Sequence, residues 1–340
     1  MTILSVLWFF LIFVLIAGYF ILDGFDLGAG VLYPFVAKSD EDKAIVRRAI
    51  GPVWDGNEVW LLTAGGALFA AFPAAYATTF SGFYLAVMLV LFGLIVRAVS
   101  FEFWAGDTGW RKVWDVCFFL GSLLPALLLG VAVGNIFAGI PMDANGDYAG
   151  IPLIGLVTPF TLLTGLLGLA LFVAAGASWI ALKAPEGSEL QQRAARLRMP
   201  LQVVALVLFV VVTAFALTGT GPAMAPELGA ARVLFAVLFV AAIVVAIAWG
   251  KKSDLVTFLA QSVSAFSITA LLACSMFPNL VVASEGSVGE AITLMSAGAS
   301  ELSLTCMTVI LCIGLPLVLI YHVVIYRTFR GRVSKEDLAH

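Results

Sequence analysis

Two short acidic runs carry the chemistry this sequence is equipped to do: Asp23-Gly24-Phe25-Asp26 and Asp55-Gly56-Asn57-Glu58, both of the form Asp-Gly-x-acid. Each begins or ends a strongly apolar stretch. An ionisable side chain there costs about 2.5–3.5 kcal/mol to insert into a bilayer, so it marks ion or proton handling unless it is paired or interfacial. Acids three residues apart on a helix project from nearly the same face. Burial and a neighbouring guanidinium pull a carboxyl group's proton affinity in opposite directions, so a file of such acids beside Arg97 can exchange protons near neutral pH. Glu102 follows Arg97 in one apolar stretch, and Asp115 opens the next. These acids and Asn57 would form one polar pocket around Arg97, facing the cytoplasm. Asp26 and Asp55 are the first choices for function. Asp23, Glu102 and Asp115, nearer the ends of their stretches, could equally be headgroup-level residues, and Glu58 falls between.

The elements that must position these groups follow from composition. The chain has 340 residues, 62% apolar and only 11% charged, where a soluble globular chain has roughly 25% charged. A mean hydropathy of +1.08 excludes an ordinary soluble enzyme, and a net charge of -3 offers no basic face for nucleic acid. An all-α polytopic membrane protein remains. A spanning helix needs about 20 mostly apolar residues because lipid offers its backbone no hydrogen-bond partner. Nine stretches qualify: Ile3–Phe35, Ile50–Phe72, Ala77–Phe103, Val113–Ala138, Leu153–Leu182, Met199–Gly219, Ala231–Gly250, Leu255–Met276 and Leu302–Tyr326. Short alternating strands, the mark of a barrel, are absent.

Sixteen of the 18 Lys and Arg residues fall in the odd-numbered loops and the tail. The exceptions are Arg97, within the third span, and Arg232, at the start of the seventh. This bias predicts the N-terminus outside and the C-terminus in the cytoplasm. Both acidic runs then lie in the inner half of the membrane. The first span lacks the basic start and small-residue cleavage site of a signal peptide. Gly24 and Gly28, with Gly65 and Gly66, are spaced for close helix contact, and packing is the simpler reading of the second pair.

No cofactor constellation is complete. His322 and His340 are the only histidines, and a single His near a span end is more often a hydrogen-bonded interfacial residue than a haem ligand. Cys117, Cys274, Cys306 and Cys312 are scattered, without Cys-x-x-Cys. A proton-accessible pocket without a metal favours a supporting subunit. A stand-alone proton-coupled transporter is the alternative, and a purely architectural subunit a third reading.

The run Leu22–Gly30 and the run Trp54–Ala71 (WDGNEVWLLTAGGALFAA) resemble subunit II of cytochrome bd-type quinol oxidases. Phe80-Ser81-Gly82-Phe83-Tyr84, Gly134-Asn135, Met276-Phe277-Pro278 and the tail Gly331–Asp337 are similar too, in order along nearly the whole chain. The resemblance implies nine helices in one transmembrane domain. Bundle one would span about 1–138, bundle two about 153–276, and a peripheral ninth helix about 302–326. It implies a heterodimer with a haem-bearing subunit I that holds two haems b and haem d and oxidises quinol, while this chain binds no haem. It implies a proton path from the cytoplasm to the oxygen site through Asp26 and Asp55, with Asp23 and Trp54 close by; on the pocket reading above, Glu58 would tune or extend that path and Arg97, Asn57 and Glu102 would be its polar partners. The setting would be a bacterial cytoplasmic membrane. A structural quinone and small accessory subunits occur in some members. The segment Ala98–Phe103 and the short loop Gly219–Gly229 depart from the family pattern.

Overall fold

The computed structural model of the chain describes residues 2–334 and residue 337. Lys335 and Glu336 of the tail, and His340, lie outside the described residues.

The chain folds almost wholly into helices. The first, α1 (Ile3–Val36), is followed by α2 (Asp40–Ile50), α3 (Trp54–Ala71), α4 (Pro73–Gly82), α5 (Tyr84–Gly106) and α6 (Arg111–Ala138). Then come α7 (Pro159–Lys183), α8 (Glu189–Leu217), α9 (Gly229–Trp249), α10 (Asp254–Met276), a hairpin of β1 (Asn279–Val281) and β2 (Ile292–Thr293), a single turn α11 (Leu294–Ala297), and α12 (Glu301–Thr328). The hairpin pairs antiparallel with a register irregularity, and Ile140 bridges to Ala283 beside it, so the loops at this end are stitched together.

Among the described residues eight helices are long and apolar enough to cross a membrane: α1, α5, α6, α7, α8, α9, α10 and α12. The expected second span differs. Its place is taken by α3, 18 residues long and so about 27 Å, whose first two turns hold Asp55, Asn57 and Glu58. It ends at Phe72, because Pro73 starts α4 with no N–H to offer the preceding turn. The expected third span begins at Tyr84 rather than Ala77, since α4 takes residues 73–82. The sixth begins at Glu189, ten residues before Met199. A Ser188 cap accepting from Gln191 N starts the helix outside the apolar stretch, and Arg193 and Arg198 pair with acids along it.

The 11-residue α2 was not expected. Ser39 and Asp42 form a reciprocal capping box at its start, which satisfies two otherwise unpaired donors. Its apolar face buries Ile45, Val46, Ala49 and Ile50, which is why so charged a segment stays folded onto the bundle.

Close helix approach is set by small residues. A Cβ at Gly28 would stand 1.7 Å from the Phe172 carbonyl oxygen, and one at Gly176 would stand 2.2 Å from Ala29 N. Helices α1 and α7 therefore cross backbone to backbone. Gly130 and Gly165 do the same for α6 and α7, and Gly93 with Gly121 for α5 and α6. At Gly66, by contrast, a Cβ would have nothing within 4 Å among the described residues, so the close approach expected there is not made by another described helix.

Helix α1 lies at the centre, against α3, α6, α7 and α10, while α9 packs on α10 and α8 on α7. Helix α12 touches chiefly α3 and α1, and of its residues only Leu304 is buried. All the odd-loop basic residues gather at the end where α1, α5, α7 and α12 finish, called here the basic end.

Candidate functional site: a buried carboxylate cluster near the basic end

Asp23 and Asp26 lie on the stretch of α1 where every residue is buried, from Asp23 to Tyr33. Asp23 is twenty residues along the helix from Ile3, about 30 Å, and so approaches the basic end. Arg97 reaches it from α5. The guanidinium meets Asp23 in a two-pronged pair: Nη2 donates to Oδ1 at 2.9 Å and Nη1 to Oδ2 at 3.3 Å. Both side chains are essentially sealed, at 1% and 0% exposure. A bidentate fork of this kind offsets the cost of desolvating both charges.

Asn57, on the first turns of α3, binds the second acid. Its Nδ2 donates to Asp26 Oδ2 at 2.7 Å and to the Leu22 carbonyl at 3.1 Å, and its Oδ1 accepts from the Tyr326 hydroxyl at 3.1 Å. Asp26 Oδ1 is buried with no hydrogen-bond partner among the described residues. Glu58 is half-buried, 4.0 Å from Arg97, and its Oε1 likewise makes no hydrogen bond. Asp23, Asp26, Glu58, Asn57 and Arg97 are thus brought together by α1, α3 and α5. A buried carboxylate oxygen with no donor is costly, and it leaves one lone-pair site able to take a proton.

Three of the residues expected in this pocket sit elsewhere. Glu102 is exposed on α5, because five residues past Arg97 rotate it about 140° around the helix. Asp115 forms a second cluster. It accepts from the Tyr33 hydroxyl at 2.5 Å, Lys43 Nζ at 2.6 Å and Trp104 Nε1 at 2.8 Å, and Arg47 stands 3.6 Å away. The depth explains the separation. Gly121 of α6 is the residue that faces the Arg97 backbone, so Asp115, six residues earlier, lies about 9 Å nearer the basic end. Asp55 is exposed on α3, its Oδ1 accepting from Gly56 N at 2.7 Å. Trp54 is half-buried against Phe101.

The second cluster holds α2 in place. Arg47 is buried, donates to the Ser100 carbonyl at 2.8 Å, and lies within 4.6–5.8 Å of four ring centroids: Phe118, Tyr33, Trp104 and Phe101. Cation–π contact of this sort is strongest where water is excluded.

His322 has both ring nitrogens engaged. Trp60 Nε1 donates to Nε2 at 3.1 Å, so Nδ1 carries the proton and donates to the Val318 carbonyl at 2.8 Å. No group of three or more His, Cys, Asp or Glu side chains could hold a metal ion among the described residues. Tyr326 and Trp60 were not singled out from the sequence. Tyr326 lies 269 positions from the Asn57 it binds, and nothing in the local pattern marks it.

Comparison with known proteins agrees with this architecture. The family described as cytochrome bd terminal oxidase subunit II matches residues 4–329. The chain is 34% identical to cytochrome bd-I ubiquinol oxidase subunit 2 of Escherichia coli K12, over 99% of this chain and 97% of that one. It is 35% identical to cytochrome bd ubiquinol oxidase subunit 2 of Bacillus subtilis, with 97% of each covered. The fold matches a chain of the bd oxidase structure from Geobacillus thermodenitrificans with a TM-score of 0.74 and 16% identity, over 96% of this chain and 99% of that one. The protein therefore belongs to the cytochrome bd terminal oxidase subunit II family.

Proposed function

We propose that the chain is the haem-free second subunit of a bd-type quinol oxidase in a bacterial cytoplasmic membrane, with the basic end in the cytoplasm and the N-terminus outside. Its partner is a larger subunit carrying two haems b and haem d, where quinol is oxidised and oxygen reduced to water. The charge bias of the loops supports the orientation. The pairing of α5 with α6, of α8 with α7 and of α9 with α10 supports two bundles of about 1–138 and 153–276, joined where α1 and α6 pack on α7, with α12 at the periphery.

The single observation that carries the functional reading is the buried, half-satisfied carboxyl group of Asp26 beside the Asp23–Arg97 pair. Asp23 is committed to Arg97. That pair fixes α1 against α5 and keeps a balancing positive charge near the cluster. Asp26, held by Asn57 through one oxygen, receives a proton on the other. Glu58 extends the relay toward Asp55, whose exposed position on α3 suits transfer at the boundary with the partner. Protons consumed in oxygen reduction thus come from the cytoplasm, while quinol releases its own outside, and a protonmotive force follows without pumping. The haems, when present in the partner, supply the electron transfer and oxygen chemistry. This chain's residues hold and move protons.

A structural quinone would find apolar surroundings in a cavity of about 600 Å³ between α6, α7, α8, α9 and α10, lined by Phe160, Leu171, Phe209 and Leu272 with Thr164 and Arg232 among its few polar groups. Small accessory subunits have ample apolar surface to meet on α12 and α9.

The test is turnover of the purified two-subunit complex. Asp26→Asn and Asp55→Asn slow oxygen consumption at saturating quinol while the haem spectrum and assembly stay normal. Wild-type turnover in Asp26→Asn would remove the relay and leave an architectural subunit. A colourless assembly that moves solute in vesicles would favour a proton-coupled transporter instead.

A further inference from the structure

The relay reading leaves open how a proton reaches Asp26, which is sealed from solvent. A cavity of about 150 Å³ lies at the basic end, lined by Arg48, Pro52 and Val53 from the α2–α3 turn, Trp179 and Lys183 from α7, and Tyr326. Thr328, Phe329 and residues 331–333 of the chain's tail, with Asp337, close its other side. At a share of about 30 Å³ per water it has room for roughly five.

One of its walls touches the carboxylate cluster, and a second packs beside it. Tyr326 lines the cavity and donates to Asn57, which in turn donates to Asp26. Trp179 lines it too, with its ring 4.3 Å from that of Phe25, the residue before Asp26, and 5.9 Å from that of Tyr326. Two side chains in series, Tyr326 and Asn57, therefore separate the cavity from the acid.

The tail is fastened over this space rather than lying loose. Lys183 donates to the Phe329 and Gly331 carbonyls, Val333 N donates to the Lys183 carbonyl at 2.8 Å, and Arg332 donates to the Ala181 and Ala184 carbonyls and to Asp254. These bonds spend most of the donors of Lys183 and balance Arg332, so the cavity is less positive than its lining suggests. Arg48 and Thr328, both exposed, form its rim, and Asp337 is within electrostatic reach of Arg48.

We propose that this cavity beneath the tail is the mouth through which protons reach Asp26, with Tyr326 and Asn57 as the positioning residues between them. The proposal rests on the relay reading above and adds its entrance. Asn57 cannot carry the proton, because its amide donates to Asp26 and accepts from Tyr326. Its task is to hold Asp26 by one oxygen so that the other stays free. A hydronium from the cavity that passes this pair of side chains delivers to the free Oδ1: a carboxylate and a hydronium become a carboxylic acid and a water, and no electron moves. Tyr326 fixes the amide orientation that makes this possible.

The experiment uses the assembled two-subunit complex and measures turnover at saturating quinol across pH, with the quinol KM alongside. Tyr326→Phe keeps the ring and removes the hydroxyl. It slows turnover by about fivefold, the factor one net hydrogen bond is worth. Thr328→Trp fills the cavity from its exposed rim and slows turnover more. Both deficits grow as pH rises, because a narrowed supply route fails first where protons are scarce, and KM stays unchanged. Thr328→Cys, modified with a bulky maleimide after assembly, gives the same block without any folding requirement. Unmodified Thr328→Cys and wild type treated with the same reagent serve as controls. If Asp26→Asn is slow while the Tyr326 and Thr328 variants run at the wild-type rate, this entrance is wrong and the relay stands. If Asp26→Asn itself runs at the wild-type rate, the relay falls and the entrance falls with it.

Discussion

Breaking the Asp23–Arg97 pair from one side is the perturbation whose size the structure fixes best. Two hydrogen bonds of 2.9 and 3.3 Å join the groups, with exposures of 0% and 1%. Removing one member of so sealed a pair leaves an uncompensated charge, which costs about 3–5 kcal/mol. Arg97→Gln carries a second penalty, since Glu58 at 4.0 Å loses its nearest cation. A lone acid has one escape, taking up a proton, so the lower end of the range is the better expectation for Arg97→Gln than for Asp23→Asn, which strands a guanidinium that stays charged. At about 2 °C per kcal/mol for a chain of this size, each single variant should melt roughly 6–10 °C below wild type. The double variant Asp23→Asn/Arg97→Gln leaves two neutral amides able to bond each other and should recover more than half of the loss. The assay is a double-mutant cycle on the purified complex, read by loss of near-ultraviolet dichroism on heating. Single variants within 1 °C of wild type, or strictly additive losses in the double, would refute the view that this pair is a coupled, desolvated unit.

Three further outcomes follow from the packing. Gly28→Ala, whose Cβ would overlap the Phe172 carbonyl, forces α1 and α7 apart and sharply lowers the yield of folded chain in membranes, whereas Gly66→Ala, with nothing within 4 Å, is tolerated within this chain. Arg47→Lys weakens the cation–π contacts with four rings and loses the bond to the Ser100 carbonyl; it destabilises by about 1–3 kcal/mol and makes α2 sensitive to limited proteolysis at wild-type conditions. His322→Gln leaves the haem spectrum of the complex unchanged, because both imidazole nitrogens are spent on Trp60 and Val318; a shifted or missing haem band would contradict that assignment.

Spans whose apolar runs are long were legible in the sequence, and their ends shifted for local reasons. Helix α8 was read short because ten of its residues lie beyond the apolar stretch, where hydropathy is silent but a Ser188 cap and Arg–acid pairs still hold a helix. Helix α2 was missed since its face buries only four apolar residues among charges, and the capping box Ser39–Asp42 was the available signal. The second span was read as an ordinary one, although the break at Phe72–Pro73 and the polar first turns make α3 shorter and less apolar than the rest.

The site was legible to the level of depth but not of direction. Hydropathy and charge bias placed Asp23, Asp26, Glu58 and Arg97 in one layer, and they do meet. Depth alone also swept in Glu102, which a helical wheel on α5 turns away from Arg97, and Asp115, which only the α5–α6 contact at Gly121 shows to be one layer nearer the basic end. Asn57, expected among the polar partners of the pocket, binds Asp26. Tyr326 joins the cluster through a contact between the third and the last long helix, which no local pattern records.

The central claim is that the Asp26 carboxyl group changes protonation during turnover. Time-resolved infrared difference spectroscopy of the assembled oxidase reacting with oxygen tests it most directly. The account predicts a transient carboxylic-acid carbonyl band that shifts in heavy water, is lost in Asp26→Asn and survives in Glu102→Gln. A band that persists unchanged in Asp26→Asn would contradict it.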